Sequence, residues 1–279
     1  MFDNIVALYC ITDDLLKAIG HTDDRRRGLT DAEVITTALT ASLYFSGNLE
    51  HARHFMKQSG FMPRMLSKSR LCRRLHMVEE LAVSLFHQLG WLLKQANAST
   101  QYLLDSFPVA VCDNIRIARC RIAQGEKFRG KCASKRCYFY GVKVHVMTTE
   151  TGLPVEFAFM HGRASDVRGL DVLALELPSG SELFMDSGYT DYAAEDAASE
   201  VDGVRFSVCR KKNSKRRVEP AEEYYKTLMR KRIETTFSEI TRLFPKRIHA
   251  VTLKGVQLKV GLKHNKTSNN NNRIEGALK

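Results

Sequence analysis

The sequence predicts an α/β domain behind a helical N-terminal region, and three observations carry that prediction. Residues 1 to about 100 show helical spacing and no alternating strand pattern. From Thr100 onward, β-branched and aromatic runs form a meander and then alternate with helical stretches. Turn chemistry, such as Thr149-Glu150-Thr151-Gly152 and Pro178-Ser179-Gly180, separates them. Helices combined with antiparallel and then alternating strands pack as a layered α/β domain.

In the helical region, Thr30-Asp31-Ala32-Glu33 is a capping box: hydroxyl and carboxylate each satisfy a backbone N–H at the helix start. Val34, Ile35, Ala38 and Leu39 follow at helical spacing. Ser67 or Ser69 can cap a second helix, whose apolar stripe runs Leu71, Leu75, Val78, Ala82, Leu85, Leu89, Leu92. Beyond Thr100, Tyr102 to Val109 reads as a buried strand, with further strands at 138–147, 154–160, 182–186 and 204–208. Helices are expected at Val167 to Leu177, at 191–199 and at Glu222 to Phe244, the last free of Gly and Pro. The expected organisation is a helical, helix-turn-helix-like region over 1–100, a catalytic domain over 101–260, and an atypical tail over 261–279. That tail holds four consecutive Asn and is expected to be disordered.

Lys and Arg number 43 against 31 Asp and Glu, a net charge of +12. Such an excess favours a polyanion, nucleic acid before membrane, because each phosphate neutralised releases a counterion. No basic leader precedes an apolar core, and no run reaches the ~18 apolar residues of a membrane span. A cytoplasmic, nucleoid-associated location without membrane contact is therefore expected. Seven scattered cysteines do not form a disulfide framework. Among Cys112, Cys120, Cys132 and Cys137, no pair has the spacing of a structural zinc site. There is no Walker loop, which argues against nucleotide hydrolysis.

Three carboxylates stand out. Asp105 and Asp186 each end an apolar strand, the position where open α/β sheets carry active-site residues. Glu234 sits in a helix beside Ile233 and Phe237. Carboxylates on three separate elements suit Mg²⁺ or Mn²⁺, which prefer oxygen ligands. Two such ions ~3.5–4 Å apart can activate an attacking oxygen and stabilise the leaving one. From residue chemistry alone the ordinary reading is the commoner one: each aspartate caps a turn, and Glu234 pairs along its helix with Arg230 or Lys231.

Cations cluster in three places. Arg70, Arg73 and Arg74 open the second N-terminal helix, a disposition suited to DNA contact. Arg116, Arg119, Arg121, Lys127, Arg129 and Lys131 follow Asp105 in a segment whose Gly125 and Gly130 suggest a mobile loop. Lys211 and Lys212 lie between the second aspartate and the glutamate helix. With Arg230 these are the expected DNA contacts, which position a duplex without reading its sequence. His145 is expected either near the site or, at least as readily, as a hydrogen-bonded strand histidine, and Asp166 is a possible further acid of the site, with helix N-capping its commoner role.

Asp105-Ser106-Phe107-Pro108-Val109 resembles the first-aspartate motif of DDE transposases of the insertion sequence 982 family. Phe184-Met185-Asp186-Ser187-Gly188-Tyr189 resembles the second, with Ser187 where Lys is usual. Arg230-Lys231-Arg232-Ile233-Glu234 resembles the glutamate helix. Tyr138-x-Tyr-Gly-x-Lys-x-His145, Phe45-Ser46-Gly47-Asn48 and Leu66 to His76 also match in order, so the resemblance covers about residues 1–255. Thr227 and Thr241 stand where neighbouring transposase groups carry Tyr and Lys. The resemblance implies an RNase H-like fold, a mixed sheet flanked by helices, with Asp105, Asp186 and Glu234 as catalytic metal ligands. It implies Mg²⁺- or Mn²⁺-dependent cleavage at terminal inverted repeats and strand transfer into target DNA. A homodimer on DNA is the expected assembly. A remnant that binds DNA without cutting it, and a host nuclease of the same fold, are the alternatives.

Overall fold

The computed structural model describes residues 1–113, 117–118, 120, 122–132, 137–242 and 255. Arg116, Arg119, Arg121 and the Asn-rich tail lie outside the described residues. The chain divides into two compact units, with the change at Leu89/Gly90 where composition places it near residue 100.

The first unit is helical. Helices α1 (Phe2–Ala18), α2 (Asp31–Tyr44), α3 (Leu49–Gln58) and α4 (Lys68–Met77) lead into α5 (Glu79–Gln95), which carries the chain into the second unit. The capping box forms: Thr30 Oγ1 accepts from the Glu33 N–H at 3.1 Å, and Glu33 Oε2 accepts from the Thr30 N–H at 2.7 Å. Every residue from Asp31 to Ser42 except Glu33 is buried, so α2 is the central helix around which the core closes. The long stripe from Leu71 to Leu92 is not one helix. Val78 adopts φ −92° and ψ 8°, ends α4, and lets Glu79 and Glu80 open α5. Apolar spacing survives the break because Leu75, Val78 and Ala82 still enter one core.

The second unit is built on a six-stranded mixed sheet. Its strands are β1 (Gln101–Asp113), β2 (Arg129–Cys132), β3 (Cys137–Thr149), β4 (Pro154–His161), β5 (Glu182–Met185) and β6 (Arg205–Val208). β3 runs antiparallel to β1 on one edge and to β2 and β4 on the other. β5 pairs parallel with β1, and β6 parallel with β5. The segment expected as a mobile loop thus contains a strand, because Gly130 pairs with Phe139 in the β2–β3 ladder.

Helix α6 covers only Arg168–Val172 of the helix expected to reach Leu177. Leu173, Leu175 and Leu177 recur every second residue, and all three join the core under β1 and β5. That is an extended segment's period, and Pro178 disfavours helix at the residue before it. Lys94, 1% exposed, ties this segment down. Its ammonium donates to the Ala174 and Leu175 carbonyls at 3.1 and 3.0 Å and lies 3.7 Å from Glu156. Burial pushes the Lys94 ammonium below the usual lysine range. Short α7 (Tyr192–Ala197) precedes β6, and long α8 (Pro220–Arg242) crosses the sheet. Met229 and Ile233 of α8 bury against Leu103 of β1 and Phe184 of β5, with Phe237 packed on the same cluster. Among the described residues, no helix is long and apolar enough to cross a membrane.

Candidate active site

Strand register brings the two aspartates together. Leu103 opposes Phe184 and Leu104 opposes Met185, so the next residues, Asp105 and Asp186, stand side by side. Side chains alternate across a sheet, which puts both carboxylates on the face that carries Leu103 and Phe184, the face covered by α8. β5 ends at Met185, whereas β1 runs on to Asp113. Asp105 therefore lies in the interior of its strand and not at its end, as the sequence suggests. The polar residues that read as a strand end continue the pairing with β3, Ser106 opposite His145 and Pro108 opposite Lys143.

Helix α8 reaches the pair from above. Arg230 Nη1 lies 3.3 Å from Asp186 Oδ1, and its Nε lies 3.9 Å from Asp105 Oδ2. Of the two helix partners that residue chemistry offers Glu234, Arg230 and Lys231, the first turns its guanidinium to the aspartates. Asp105 is the more enclosed of the two, its side chain 15% exposed against 33% for Asp186. Burial raises the Asp105 carboxyl to about 6. The Ser106 N–H, donated to Oδ1 at 2.7 Å, and Arg230 oppose that rise, while Asp186 and Asp166 add to it.

Helix α8 passes over the start of β1 and on to the turn between β3 and β4. Tyr225 meets Gln101, its hydroxyl 3.3 Å from Gln101 Nε2, and Phe237 meets Phe107, the ring centroids 4.9 Å apart. Between them Arg232 pairs with Glu150, and Thr236 Oγ1 donates to the Gly152 carbonyl at 3.2 Å. Ile233 is buried in the sheet-facing cluster and Glu234 is exposed beside it, one turn beyond Arg230.

A family model described as a transposase DDE domain matches residues 95–248. The chain belongs to the transposase DDE domain family. Neither a curated protein nor a solved structure matches it. The match begins just before β1 and takes in Asp105, Asp186 and Glu234, so all three carboxylates lie within the DDE domain.

A further acid of this domain sits close by. Asp166 does not cap α6, whose N-cap is Val167. Its Oδ1 accepts from Ser106 Oγ at 2.8 Å and from the Lys143 ammonium at 3.0 Å. A Cβ on Gly188 would come within 2.8 Å of its Oδ2. Asp166 thus stands between the residue after Asp105 and the turn after Asp186. Of the two roles open to Asp166 in the sequence, helix cap and further acid of the site, this geometry favours the second. His145 behaves as the expected strand histidine: it is buried, its Nδ1 lies 2.7 Å from the Tyr189 hydroxyl, and burial lowers it to about 4.

Asp105, Asp186 and Glu234 do not bring ligand atoms all within 4.8 Å of one another, and the Arg230 guanidinium contacts both aspartates. Among the described residues the one such set of His, Cys, Asp or Glu ligands is His21, Asp23 and Asp31, in the helical unit. Asp31 there is already paired with Arg27 at 3.1 Å, with Arg74, and with His21 at 3.0 Å. Arg74 is therefore turned into its own unit, away from the DNA contact expected of it with its neighbours. Arg70 and Arg73 are exposed on α4, and Lys127, Lys131, Lys211 and Lys212 are exposed in the DDE domain. Arg129 is partly exposed and stacks over Tyr138, 4.7 Å from the ring centroid.

Proposed function

We propose that the chain is a DNA transposase that cuts at transposon ends and joins the freed strand to target DNA, using Asp105, Asp186 and Glu234. One observation carries the reading: two aspartates meet on neighbouring parallel strands, under a helix whose Arg230 reaches both and which bears Glu234 one turn further on. Four strands joined by antiparallel pairings, β1 to β4, followed by β5 and β6 running parallel to β1, support an RNase H-like assignment of the sheet. The motif resemblance supports the insertion sequence 982 group within the DDE family.

The donor set fits a hard divalent cation. It is all oxygen, and two adjacent carboxylates, one of them raised to about 6, attract a shared positive charge that Arg230 now supplies. Asp105, Asp186 and Glu234 would hold Mg²⁺ or Mn²⁺, which when bound lowers the pKa of an attacking water or hydroxyl and neutralises the leaving oxygen. The chain's own part is orientation. β1 and β5 fix the aspartates in register. The apolar row of α8 shields one side of them, and Arg230 is close enough to pass from carboxylate to a phosphate oxygen. Arg70 and Arg73 of the helical unit, with Lys127, Arg129, Lys131, Lys211 and Lys212, would hold the DNA backbone.

The test uses a plasmid carrying the reading frame with its genomic flanks. Wild-type protein with Mg²⁺ is expected to nick at the flanks and give joined products. Asp105→Asn, Asp186→Asn and Glu234→Gln should each lower cleavage at least ~100-fold while DNA binding persists, in line with the cost of removing one charge-stabilising group. Cleavage that survives in Asp105→Asn rejects the assignment, and cutting without joined products identifies a nuclease.

A further inference from the structure

Lys143, which holds Asp166 beside the aspartates, also lines a cavity of about 410 Å³. The cavity follows from the sheet's construction. β2 and β4 occupy the same edge of β3 in succession, β2 against Cys137–Tyr140 and β4 against Val142–Thr148. They meet at Gly141, whose carbonyl accepts from the Gly162 N–H at 3.0 Å. A Cβ on Gly162 would come 2.6 Å from the Phe128 carbonyl, so the close approach of the two strand ends requires glycine.

The walls of this cavity have one chemical character. Arg129, Lys131 and Arg163 line it with a single carboxylate, Glu126. Glu126 lies 3.7 Å from Arg129 and 3.8 Å from Arg163, beyond hydrogen-bonding distance of either. Lys143 is already matched by Asp166. Three cations against one acid leave a surplus of two positive charges. Among them stands Tyr138, a residue 49% exposed whose ring is overlaid by the Arg129 guanidinium. An exposed aromatic ring stacked on a guanidinium recognises a planar group, and the surrounding cations recognise an anion. The volume suits one such small ligand and is far too small for a duplex.

We propose that this cavity is a subsite for one unpaired nucleotide of DNA, its base stacked against Tyr138 and Arg129 and its phosphate held by Lys131 and Arg163. In a duplex both faces of a base are covered by its neighbours, so the bound base is one out of the stack. The route Lys143–Asp166–Ser106 places the subsite next to the strand segment that carries Asp105. The inference rests on the transposase reading, and its test does not need cleavage.

Full-length protein, free of divalent cations, is titrated with a thymidine pentanucleotide carrying 2-aminopurine at its centre. Binding is expected to quench the probe. Tyr138→Ala should weaken binding about 5- to 150-fold and abolish the quench, whereas Tyr138→Phe keeps both. A pentanucleotide abasic at the centre should lose a similar factor with wild type and nothing further with Tyr138→Ala. Equal affinity and equal quench in wild type and Tyr138→Ala overturn the subsite and leave the transposase reading standing. Failure of wild type to bind any DNA, duplex included, overturns both. Displacement of the strand by deoxyadenosine monophosphate at the strand's own affinity assigns the cavity to free nucleotides and overturns the DNA assignment.

Discussion

Replacing Asp105 by Asn should make the protein more stable while silencing it. The carboxyl rises from 3.8 to about 6 on folding, chiefly through burial. An acid that binds its proton more tightly when folded destabilises the fold wherever it must ionise. A rise of this size corresponds to roughly 3 kcal/mol. Arg230's attraction is already contained in it, so the figure is the net cost, and the 15% exposure of the side chain calls for only slight screening. The cost is absent below the unfolded value near 4, grows as pH rises towards 6, and is complete above it. At pH 5 about half should remain, and at pH 4 about 0.5 kcal/mol. Asn keeps an oxygen for the Ser106 N–H but meets Arg230 less well, so about 1–3 kcal/mol should be gained near pH 8.

The chain's one tryptophan makes the measurement specific. Trp91 lies in the same compact unit as Asp105, so its fluorescence reports that unit's unfolding. Near pH 8 with a chelator present, Asp105→Asn should raise the thermal midpoint by about 3–10 °C, and the gain should fade towards pH 4. Mg²⁺ at about 100 times its dissociation constant should then raise wild-type stability by roughly 2.7 kcal/mol and leave the variant unchanged. A variant less stable than wild type near pH 8, or a gain that does not shrink on acidification, would refute the reasoning.

Three other outcomes follow from the packing. Gly141→Ala drives a methyl into the Val109 carbonyl across the β1–β3 ladder, and should cost at least ~3 kcal/mol, seen as a lower Trp91 midpoint. Arg74→Ala strips a charged partner from buried Asp31 and should cost the helical unit about 2–4 kcal/mol by circular dichroism. Its exposed neighbour Arg73→Ala should change stability by no more than ~0.5 kcal/mol, and equal losses would contradict the inward course of Arg74. His145, lowered to about 4 by burial, should give neutral-imidazole NMR shifts down to about pH 5, and an imidazolium signal near pH 6 would show the ring to be solvated.

Local chemistry is readable in the sequence, and features that depend on a distant neighbour are not. The capping box at Thr30, the run of Leu183, Phe184 and Met185 into Asp186, and the Gly-free helix of Glu234 each declare themselves within a few residues. The length of β1 does not. Pro108 removes an N–H and reads as a strand end, yet beyond Leu104 the strand has no β5 neighbour, so no ladder bond is left unmade there. Leu173, Leu175 and Leu177 pass for part of a helix because their alternation shows only against the core they enter. Asp166 reads more readily as a helix cap than as an acid of the site, since Ser106 and Lys143, its partners, lie 60 and 23 residues away.

The chemistry of this site is bound to the phase of one helix. Met229, Ile233 and Phe237 form the row that α8 buries, and that row is chosen by Leu103, Phe184 and Phe107 beneath it. Once it is set, the neighbouring row of Lys226, Arg230 and Glu234 falls along one flank at four-residue spacing. Its members then meet different surroundings along the strand. Lys226 is buried and pairs with Glu222 at 3.0 Å, Arg230 reaches both aspartates, and Glu234 is exposed one turn further on. A rotation of α8 by one residue, about 100°, would carry Arg230 and Glu234 off together. The apolar contacts that stabilise the helix are therefore also what aligns its charged flank with the aspartates.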